Sequence, residues 1–298
     1  MRIGLIGVGL MGQGIAKNLL KHGFSLTLLH HSGNQPTEHL VAGGARVVNS
    51  PAEVAAVADV IVLVVTGAPE VEAVLVGERG VLSALRPGST VIDCSTSKPA
   101  VTQRLAAMVE QAGSHMIDAP MTGLVNQAHE GTLNVLVGGD PTVLEAVRPV
   151  LEAFTKRISY VGPIGTGHRM KLLHNFVSIG SMALVAEAAA HATRAHVDPA
   201  VFVEVLATGG GSGAALERLR TAIVGGDATG VPFSIANAAK DLRYYQAVAA
   251  GSGARHAIAD AVASTLDAQV SSGSGHRYLS ELVRLFQSSE GAAKVSKA

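Results

Sequence analysis

The chain has 298 residues, of which 48% are hydrophobic and 15% charged, and its 23 Lys and Arg residues balance its 23 Asp and Glu residues. This composition supports a large apolar core and gives no electrostatic reason to expect nucleic acid or an anionic membrane as a partner. The single cysteine, Cys94, excludes an internal disulfide and suits a reducing compartment. Because no signal-peptide pattern opens the chain and no uninterrupted apolar run approaches the ~20 residues of a membrane span, we expect a cytoplasmic protein.

Residues 1–22 have the pattern of a strand, a glycine turn and a helix. An apolar run at residues 3–6 is followed by G-x-G-x-x-G and then by a helical segment. In this pattern the first glycine permits a tight turn, the second lets the backbone approach a pyrophosphate, and the third lets the helix pack closely on the strand. The pattern predicts a dinucleotide site, with a purely structural turn or a methyltransferase-type nucleotide site as alternatives. The predicted cofactor residues of this turn are Gly7, Gly9, Leu10, Met11 and Gly12.

The loop after the second strand is where such a domain selects its cofactor. An Asp or Glu there would bind a ribose 2′-hydroxyl, and an Arg would accommodate a 2′-phosphate. This chain has neither after its strand-like run Ser25–His30, but His31, Ser32 and Asn34 can donate hydrogen bonds to a phosphate. We therefore expect NADP, with NAD as the alternative. The simpler interpretation is that the two histidines here are solvated loop residues.

Strand-like and helical segments alternate up to about residue 160. Apolar runs recur at residues 60–65, 90–93, 115–118 and 132–137, and Ser50-Pro51 with Glu53 reads as a capping box that opens an intervening helix. This alternation predicts a Rossmann-type α/β domain over residues 1–162, with a doubly wound, mainly parallel sheet. Ligands bind beyond the carboxyl ends of such strands, which here are followed by Cys94–Thr96 and Ala119–Gly123.

The pattern changes after Tyr160. A linker-like turn, Gly162–Gly167, precedes a long segment without proline, residues 168–196, and helix-period apolar residues continue beyond it. We therefore predict an all-α domain over residues 163–298, entered by one long helix. Its apolar surface needs covering, so we expect a homodimer or homotetramer formed through this half. The tail from Ser288 to Ala298 is polar and rich in small residues, and we expect it to fray.

Lys171 and Asn175 lie four residues apart at the start of that helix and so share one face. In a cleft near a domain boundary, desolvation can lower a lysine pKa from about 10.4 toward neutrality, and the amine then donates or accepts protons. The alternative is a solvated surface lysine, and position alone does not decide between the two.

Five motifs occur in an order that resembles the β-hydroxyacid dehydrogenase family, which includes 3-hydroxyisobutyrate dehydrogenase and tartronate semialdehyde reductase and, more distantly, 6-phosphogluconate dehydrogenase. The likeness covers essentially the whole chain, and the five motifs together are more specific than any one of them. They are the glycine turn Gly7–Gly12, Asp93-Cys94-Ser95-Thr96, Asp118–Gly123, Gly165-Thr166-Gly167 through Lys171 and Asn175, and Lys240-Asp241-Leu242.

The resemblance implies an NAD(P)-dependent oxidoreductase that transfers hydride between the nicotinamide and a small β-hydroxyacid or its semialdehyde. It implies Lys171 as the catalytic acid or base and Asn175 as the residue that holds the substrate oxygen. The substrate carboxylate would be bound around Ser95, Thr122 and Gly123, with Lys240 closing the site. The further cofactor contacts it implies are Thr66, Thr96, Phe233 and Lys240.

Departures from the family pattern leave the substrate and the cofactor open. Leu124 stands where the family's Ser-Gly-Gly loop ends in glycine, which narrows the pocket, and His174 replaces the first asparagine of a usual pair. An imine or aldehyde reductase of the same fold and a non-catalytic dinucleotide-binding scaffold are the alternatives, and Lys171 argues against the imine reductase and the scaffold.

Several other residues are expected to be structural. We expect Asp118 and Asp241 to be strand-end and helix-end partners, and Cys94 to be buried and inert. No His, Cys or Asp cluster has metal-ligand spacing, so we expect no metal site. The remaining histidines are expected to be surface or capping residues: His115, His129, His168, His191 and His196.

Overall fold

The structure is a computed structural model that describes residues 1–288, so the predicted fraying beyond Ser288 falls outside the described residues. The chain divides into two compact units, Met1–Leu172 and the part from Leu173 onward. The division falls inside a long helix, Thr166–Arg194, whereas the sequence pattern placed the boundary at residue 162.

The first unit contains a nine-stranded sheet in the order β3-β2-β1-β4-β5-β6-β8-β7, with β9 paired to β8. The pairs among the first six strands are all parallel, as predicted, while β8 runs antiparallel to β6 and β7. The strands are β1 (Arg2–Ile6), β2 (Ser25–Leu29), β3 (Arg46–Val48), β4 (Val60–Leu63), β5 (Thr90–Asp93), β6 (His115–Asp118), β7 (Met121–Thr122), β8 (Leu133–Gly138) and β9 (Thr155–Gly162).

Helices cover both faces of this sheet, which confirms the doubly wound arrangement. Alternate residues of β4 show it: Val60 and Val62 belong to one buried apolar cluster, and Ile61 and Leu63 belong to another. A strand that is buried on both faces is apolar along its whole length. The helices of the first unit are α1 (Leu10–Lys21), α2 (Glu38–Ala42), α3 (Pro51–Val57), α4 (Ala68–Val76), α5 (Pro99–Gln111), α6 (Val125–Glu130) and α7 (Pro141–Glu152).

The second unit is helical, as predicted, over its described residues. Within residues 173–288 the β-structure is limited to an isolated bridge between Ser234 and Tyr278. Its helices are α8 (Thr166–Arg194, which begins in the first unit), α9 (Pro199–Thr208), α10 (Ala214–Val224), α11 (Ile235–Gly251), α12 (Ala257–Gln269) and α13 (Leu282–Ser288).

Helix α8 is long and apolar enough, by length and composition alone, to cross a membrane. The sequence did not indicate this, because the helix contains no uninterrupted apolar run of about 20 residues. About half of its most apolar window (44%) is buried inside the protein, as in the core helix of a globular domain. Since core helices pass the same length and composition criterion, this one helix is weak evidence for a membrane span.

Candidate active site

The glycine turn after β1 has the geometry that its sequence predicts. Gly7 has a φ of +100°, which favours glycine, and a Cβ on Gly12 would lie 2.0 Å from the carbonyl oxygen of Gly7. A Cβ on Gly9 would meet no atom within 4 Å. The turn therefore needs glycine for conformation at the first position and for close packing at the third, while the second faces open space into which a pyrophosphate fits.

Helix α1 begins directly after this turn, with Gly9 as its N-cap residue and no side chain of the described residues capping it. The first N–H groups of a helix have no partner within the helix, and its dipole favours negative charge there. Leu10 is 45% exposed and Met11 is half-buried beside this end. These features fit the phosphates of a dinucleotide.

The predicted 2′-phosphate loop is attached to the glycine turn through Asn34. Its Oδ1 accepts a hydrogen bond from the Val8 N–H at 3.1 Å, and its Nδ2 donates to the carbonyl of Leu29 at 2.8 Å. Asn34 therefore holds the loop in place, and its role as a phosphate donor stays a prediction. His31 and Ser32 are exposed, and Nδ1 of His31 accepts the N–H of Gly33 at 3.0 Å.

The loop after β5 is held by its own polar groups. The N–H of Ser95 donates to Asp93 Oδ1 at 2.9 Å, and the Ser95 hydroxyl accepts the Val65 N–H at 3.1 Å. Ser95 is 3% exposed and belongs to the framework of the loop, and its role as a carboxylate ligand stays a prediction. Thr96 is half-buried and Thr66, after β4, is exposed.

Cys94, in the same loop, is buried as expected. Burial raises the pKa of its thiol, and the nearby Asp93 carboxylate raises it further. Because the thiolate is the reactive form, this cysteine is chemically inert in the folded protein.

Lys171 contacts strand β7, directly before the loop that contains Gly123 and Leu124. Its Nζ donates to the carbonyl oxygen of Met121 at 2.6 Å, and the side chain is half-buried, so it is not the solvated surface lysine of the simpler interpretation. In this loop Gly123 has a φ of +129° and the N–H of Leu124 donates to Gln127 Oε1 at 2.9 Å. The amine of Lys171 thus lies next to the residues predicted to bind the substrate carboxylate.

His168 is wholly buried, so the prediction of a surface or capping residue was wrong. Its Nδ1 lies 2.7 Å from the Thr102 hydroxyl, and its Nε2 lies 3.1 Å from the carbonyl oxygen of Ser95. Asp118 accepts the N–H groups of Gly165 and His168 at 2.7 and 2.6 Å, and so caps α8. Burial raises the pKa of Asp118, and the charge of His168 and these two hydrogen bonds oppose the rise.

In the second unit, Asp241 joins two residues that the sequence assigned to the site. The Asn175 amide donates to Asp241 Oδ2 at 2.7 Å, and the Lys240 ammonium lies 2.9 Å from Asp241 Oδ1 as an ion pair without hydrogen-bond alignment. Lys240 also lies over the ring of Tyr244, 5.2 Å from its centre. Phe233, another predicted cofactor contact, is half-buried in the segment before α11.

Within residues 1–288, no group of three or more His, Cys, Asp or Glu side chains is arranged to hold a metal ion. Lys171 stays the predicted proton carrier among the described side chains.

Comparisons with known proteins identify the family of this chain. Residues 2–162 match the profile described as the NAD binding domain of 6-phosphogluconate dehydrogenase, and residues 165–286 match that described as NAD-binding of NADP-dependent 3-hydroxyisobutyrate dehydrogenase. The chain belongs to the β-hydroxyacid dehydrogenase family. Members of this family are NAD(P)-dependent oxidoreductases, and the two profiles meet close to the predicted domain boundary at residue 162.

Individual members and neighbours of the family give the same result. The 2-hydroxy-3-oxopropionate reductase of Escherichia coli (strain K12) is 36% identical over 218 residues, which cover 73% of this chain and 74% of that protein. The crystal structure of a 3-hydroxyisobutyrate dehydrogenase from Salmonella typhimurium superposes with a TM-score of 0.85 at 27% identity, covering 96% of this chain and 99% of the other. An imine reductase from Myxococcus stipitatus in complex with NADP+ shares the fold alone, with a TM-score of 0.60 at 20% identity over 95% and 99% of the two chains.

Two residues of this family member lie elsewhere than the sequence predicted. His168 was placed on the surface and Asp241 at a helix end, yet His168 is wholly buried and Asp241 lies inside α11, and each makes a buried hydrogen bond between segments far apart in the chain. For Asp241 the sequence contained one weak indication of a role in the site, because the residue follows Lys240 within a family motif.

Proposed function

We propose that this protein transfers hydride between NAD(P) and the hydroxyl-bearing carbon of a small β-hydroxyacid, or the corresponding semialdehyde in reverse, with Lys171 as general acid and base. The observation that carries the proposal is the position of the Lys171 amine, half-buried and hydrogen-bonded to Met121 in β7, directly before the loop at Gly123. Its support comes from this contact together with the membership of the family.

Bound nicotinamide accepts or supplies the hydride, and the protein supplies position and a proton carrier. In oxidation, neutral Lys171 takes the proton of the β-hydroxyl as the hydride leaves the carbon. In reduction, protonated Lys171 returns the proton to the aldehyde oxygen. Its hydrogen bond to Met121 holds the amine in one direction, which reduces the motion required for transfer.

The substrate carboxylate is proposed to bind through backbone N–H groups and the hydroxyl at Thr122 and Gly123, an anion site that needs no net charge. Asn175 follows Lys171 by one turn of α8, and we propose that it holds the substrate oxygen. Its amide donates one N–H to Asp241, and the amide group carries a second. Lys240 is proposed as an additional positive charge for the substrate or the cofactor.

NADP is the proposed cofactor, with NAD as the alternative. The loop after β2 has no carboxylate that would repel a 2′-phosphate, and its exposed side chains at His31 and Ser32 can donate to one. Fluorescence titration should show tighter binding of NADPH than of NADH, and Ser32→Ala should weaken NADPH binding while leaving NADH unchanged. Tighter binding of NADH by the wild-type protein would refute the preference.

We also propose a cytoplasmic homodimer or homotetramer that binds neither nucleic acid nor membrane. The balanced charge and the single buried cysteine favour this setting. The oligomer is proposed because large apolar side chains of α8 and α9 are exposed in the single chain: Val177, Leu184, Val201 and Val205.

The experiment that tests the reaction class is a substrate panel assayed with each cofactor. The panel contains 3-hydroxyisobutyrate, other small β-hydroxyacids and their semialdehydes, together with cyclic imines that an imine reductase would reduce. Turnover of a hydroxyacid or semialdehyde supports the proposal. Turnover of imines alone would favour the alternative reductase, and cofactor binding without any turnover would favour a non-catalytic scaffold.

A further inference from the structure

A buried polar cluster in the first unit, which we call the His168 cluster, joins four of its elements. Four of its side chains, those of Asp93, Thr102, Asp118 and His168, have no exposed surface. A buried ionisable group is costly unless it has partners, so the contacts within the cluster define a specific geometry. Its members are Asp93 and Ser95 at the end of β5, Thr102 on α5, Asp118 at the end of β6 and His168 in the first turn of α8.

Both ring nitrogens of His168 have partners in separate segments. The carbonyl oxygen of Ser95 can only accept, so Nε2, at 3.1 Å, carries a proton and donates it. Nδ1 lies 2.7 Å from the hydroxyl of Thr102. The ring therefore connects the loop after β5 with α5, while its own backbone belongs to α8.

The two carboxylates hold the same segments that the ring connects. Asp93 accepts the N–H of Ser95 with Oδ1, and its Oδ2 lies 3.8 Å from Nε2 of His168. Asp118 accepts the first N–H groups of α8, and its Oδ2 lies 3.6 Å from Nδ1. A Cβ on Gly167 would lie 2.4 Å from the carbonyl oxygen of Leu136, so the start of α8 is also packed closely against the sheet.

We propose that His168 is a positioning residue, which fixes the Ser95–Thr96 loop against the turn of α8 that presents Lys171. His168 precedes Lys171 by three residues, which is about one helical turn. Ser95 is bound at its N–H by Asp93 and at its hydroxyl by Val65, and its carbonyl is the group that His168 connects to α8. The consequence for catalysis rests on the proposed function, whereas the connection itself is a property of the first unit.

The catalytic consequence follows from distance. Thr96, beside Ser95, is one of the cofactor contacts that the family resemblance implies, by the nicotinamide, and Lys171 is the proposed proton carrier. A displacement of about 1 Å between reacting groups can lower a rate about 100-fold. Loss of the connection should therefore lower kcat, while the glycine turn, which binds the pyrophosphate, keeps cofactor affinity close to that of the wild type.

The direct test is amide hydrogen exchange of the full-length protein without cofactor. His168→Leu removes both hydrogen bonds, His168→Gln can donate to Ser95 and accept from Thr102, and His115→Leu is the control at an exposed histidine of β6. We expect His168→Leu to speed exchange about 10-fold in both segments, 94–97 and 166–172, His168→Gln to restore most of the protection, and the control to change neither. Unchanged exchange in residues 94–97 would overturn the proposal.

A kinetic test uses 3-hydroxyisobutyrate, unlabelled and deuterated at the hydroxyl-bearing carbon. We expect His168→Leu to lower kcat about 10- to 100-fold with the NADPH Kd within about 3-fold of wild type, and to raise the isotope effect on kcat, because hydride transfer becomes more rate-limiting. A purely structural defect lowers the active fraction and leaves the isotope effect unchanged, which would contradict a positioning role.

Two further outcomes are distinguishable. If the wild-type protein oxidises no probe, the proposed function fails, and the exchange experiment still decides whether His168 connects the two segments. If His168→Leu does not fold, Thr102→Val removes the second partner of the ring and is read by the same exchange. For Thr102→Val, an increase in exchange of less than about 10-fold in both segments supports the proposal, and unchanged exchange overturns it.

Discussion

At the scale of single residues, the glycines of the turn after β1 have separable roles. Gly12 has no space for a side chain, since its Cβ would overlap the carbonyl oxygen of Gly7. Gly9 has a negative φ of −79° and open space beside it, so the protein itself tolerates a methyl group there. The requirement for glycine at this second position therefore comes from the ligand.

This difference predicts opposite results for two alanine variants. Gly12→Ala should lower the free energy of unfolding by about 1–3 kcal/mol, as overpacked substitutions do. Gly9→Ala should leave it within about 0.5 kcal/mol of wild type, as at an unconstrained surface site, yet weaken NADPH binding at least tenfold because the methyl group occupies the space of the pyrophosphate. Urea denaturation and fluorescence titration measure the two quantities. NADPH binding by Gly9→Ala equal to that of wild type would remove the turn from the cofactor site.

Residue roles were predictable where they depend on local contacts. The glycines act within residues 7–12, so their spacing is sufficient to assign them. His168 is different, because its burial results from contacts with Ser95 and Thr102, which are far away in the chain. A single histidine near a helix start has no periodic pattern that would indicate burial.

At the scale of elements, the start of α3 shows a variant of the predicted capping box, in which Glu53 accepts the N–H of Asn49 in place of that of Ser50. The Ser50 hydroxyl accepts the N–H of Glu53 at 3.3 Å and lies 2.8 Å from the Glu53 carboxylate, which also accepts the N–H of Asn49. These hydrogen bonds, from Ser50 and then from Asn49, lower the pKa of Glu53, and the nearby Arg79 lowers it further. The box therefore stabilises the helix start when Glu53 is ionised.

Ser50→Ala should lower the free energy of unfolding by about 1 kcal/mol at pH 7, the usual effect of losing a serine cap. A carboxyl group whose pKa is lowered by folding stabilises the protein at pH values above its pKa in the unfolded chain. This stabilisation is lost as the pH falls and the carboxylate becomes protonated in the folded protein. The difference between wild type and Ser50→Ala should therefore shrink between pH 7 and pH 3 in urea denaturation. Ser271→Ala, at an exposed serine, is the control. A difference that grows toward low pH would contradict the assignment.

Strands that are buried on both faces were easier to predict from the sequence than exposed or very short strands. The central parallel strands are covered on both faces and appear in the sequence as continuous apolar runs. Strand β9 pairs only with β8 among the described strands and exposes Lys156 and Arg157, so it has neither a continuous run nor clean alternation. Strand β7 has two residues, too few to give a sequence pattern. The sequence therefore did not indicate that β8 runs antiparallel to β6 and β7.

At the scale of the whole molecule, the sequence predicted a first half of alternating strands and helices and a helical second half. The two halves could be told apart because continuous apolar runs indicate buried strands, whereas apolar residues at helical spacing indicate helices. The identity of the substrate could not, because it depends on the shape around Leu124 and on side chains contributed by residues far apart in the chain. The apolar surface of α8 and α9 was also foreseen in outline, and the structure shows which residues form it.

This surface predicts the effect of a single charge. Light scattering of the wild-type protein should show a dimer or tetramer, and Leu184→Glu, at a side chain 74% exposed in the single chain, should shift it toward monomer because burying a carboxylate in an apolar interface is costly. Val41→Glu places the same charge on α2 of the first unit, where Val41 is 47% exposed, and should leave the mass unchanged. A monomeric wild-type protein would refute the oligomer.

The central claim, that Lys171 is the proton carrier of a dehydrogenase, is tested most directly by Lys171→Ala. Arg169→Ala, which removes an exposed positive charge from the same helical turn, is the matched control. With the best substrate of the panel, Lys171→Ala should bind NADPH like wild type and lose at least about 100-fold in kcat, the usual contribution of a general acid or base, while the control keeps near-normal turnover. Turnover of Lys171→Ala close to that of wild type would contradict the account.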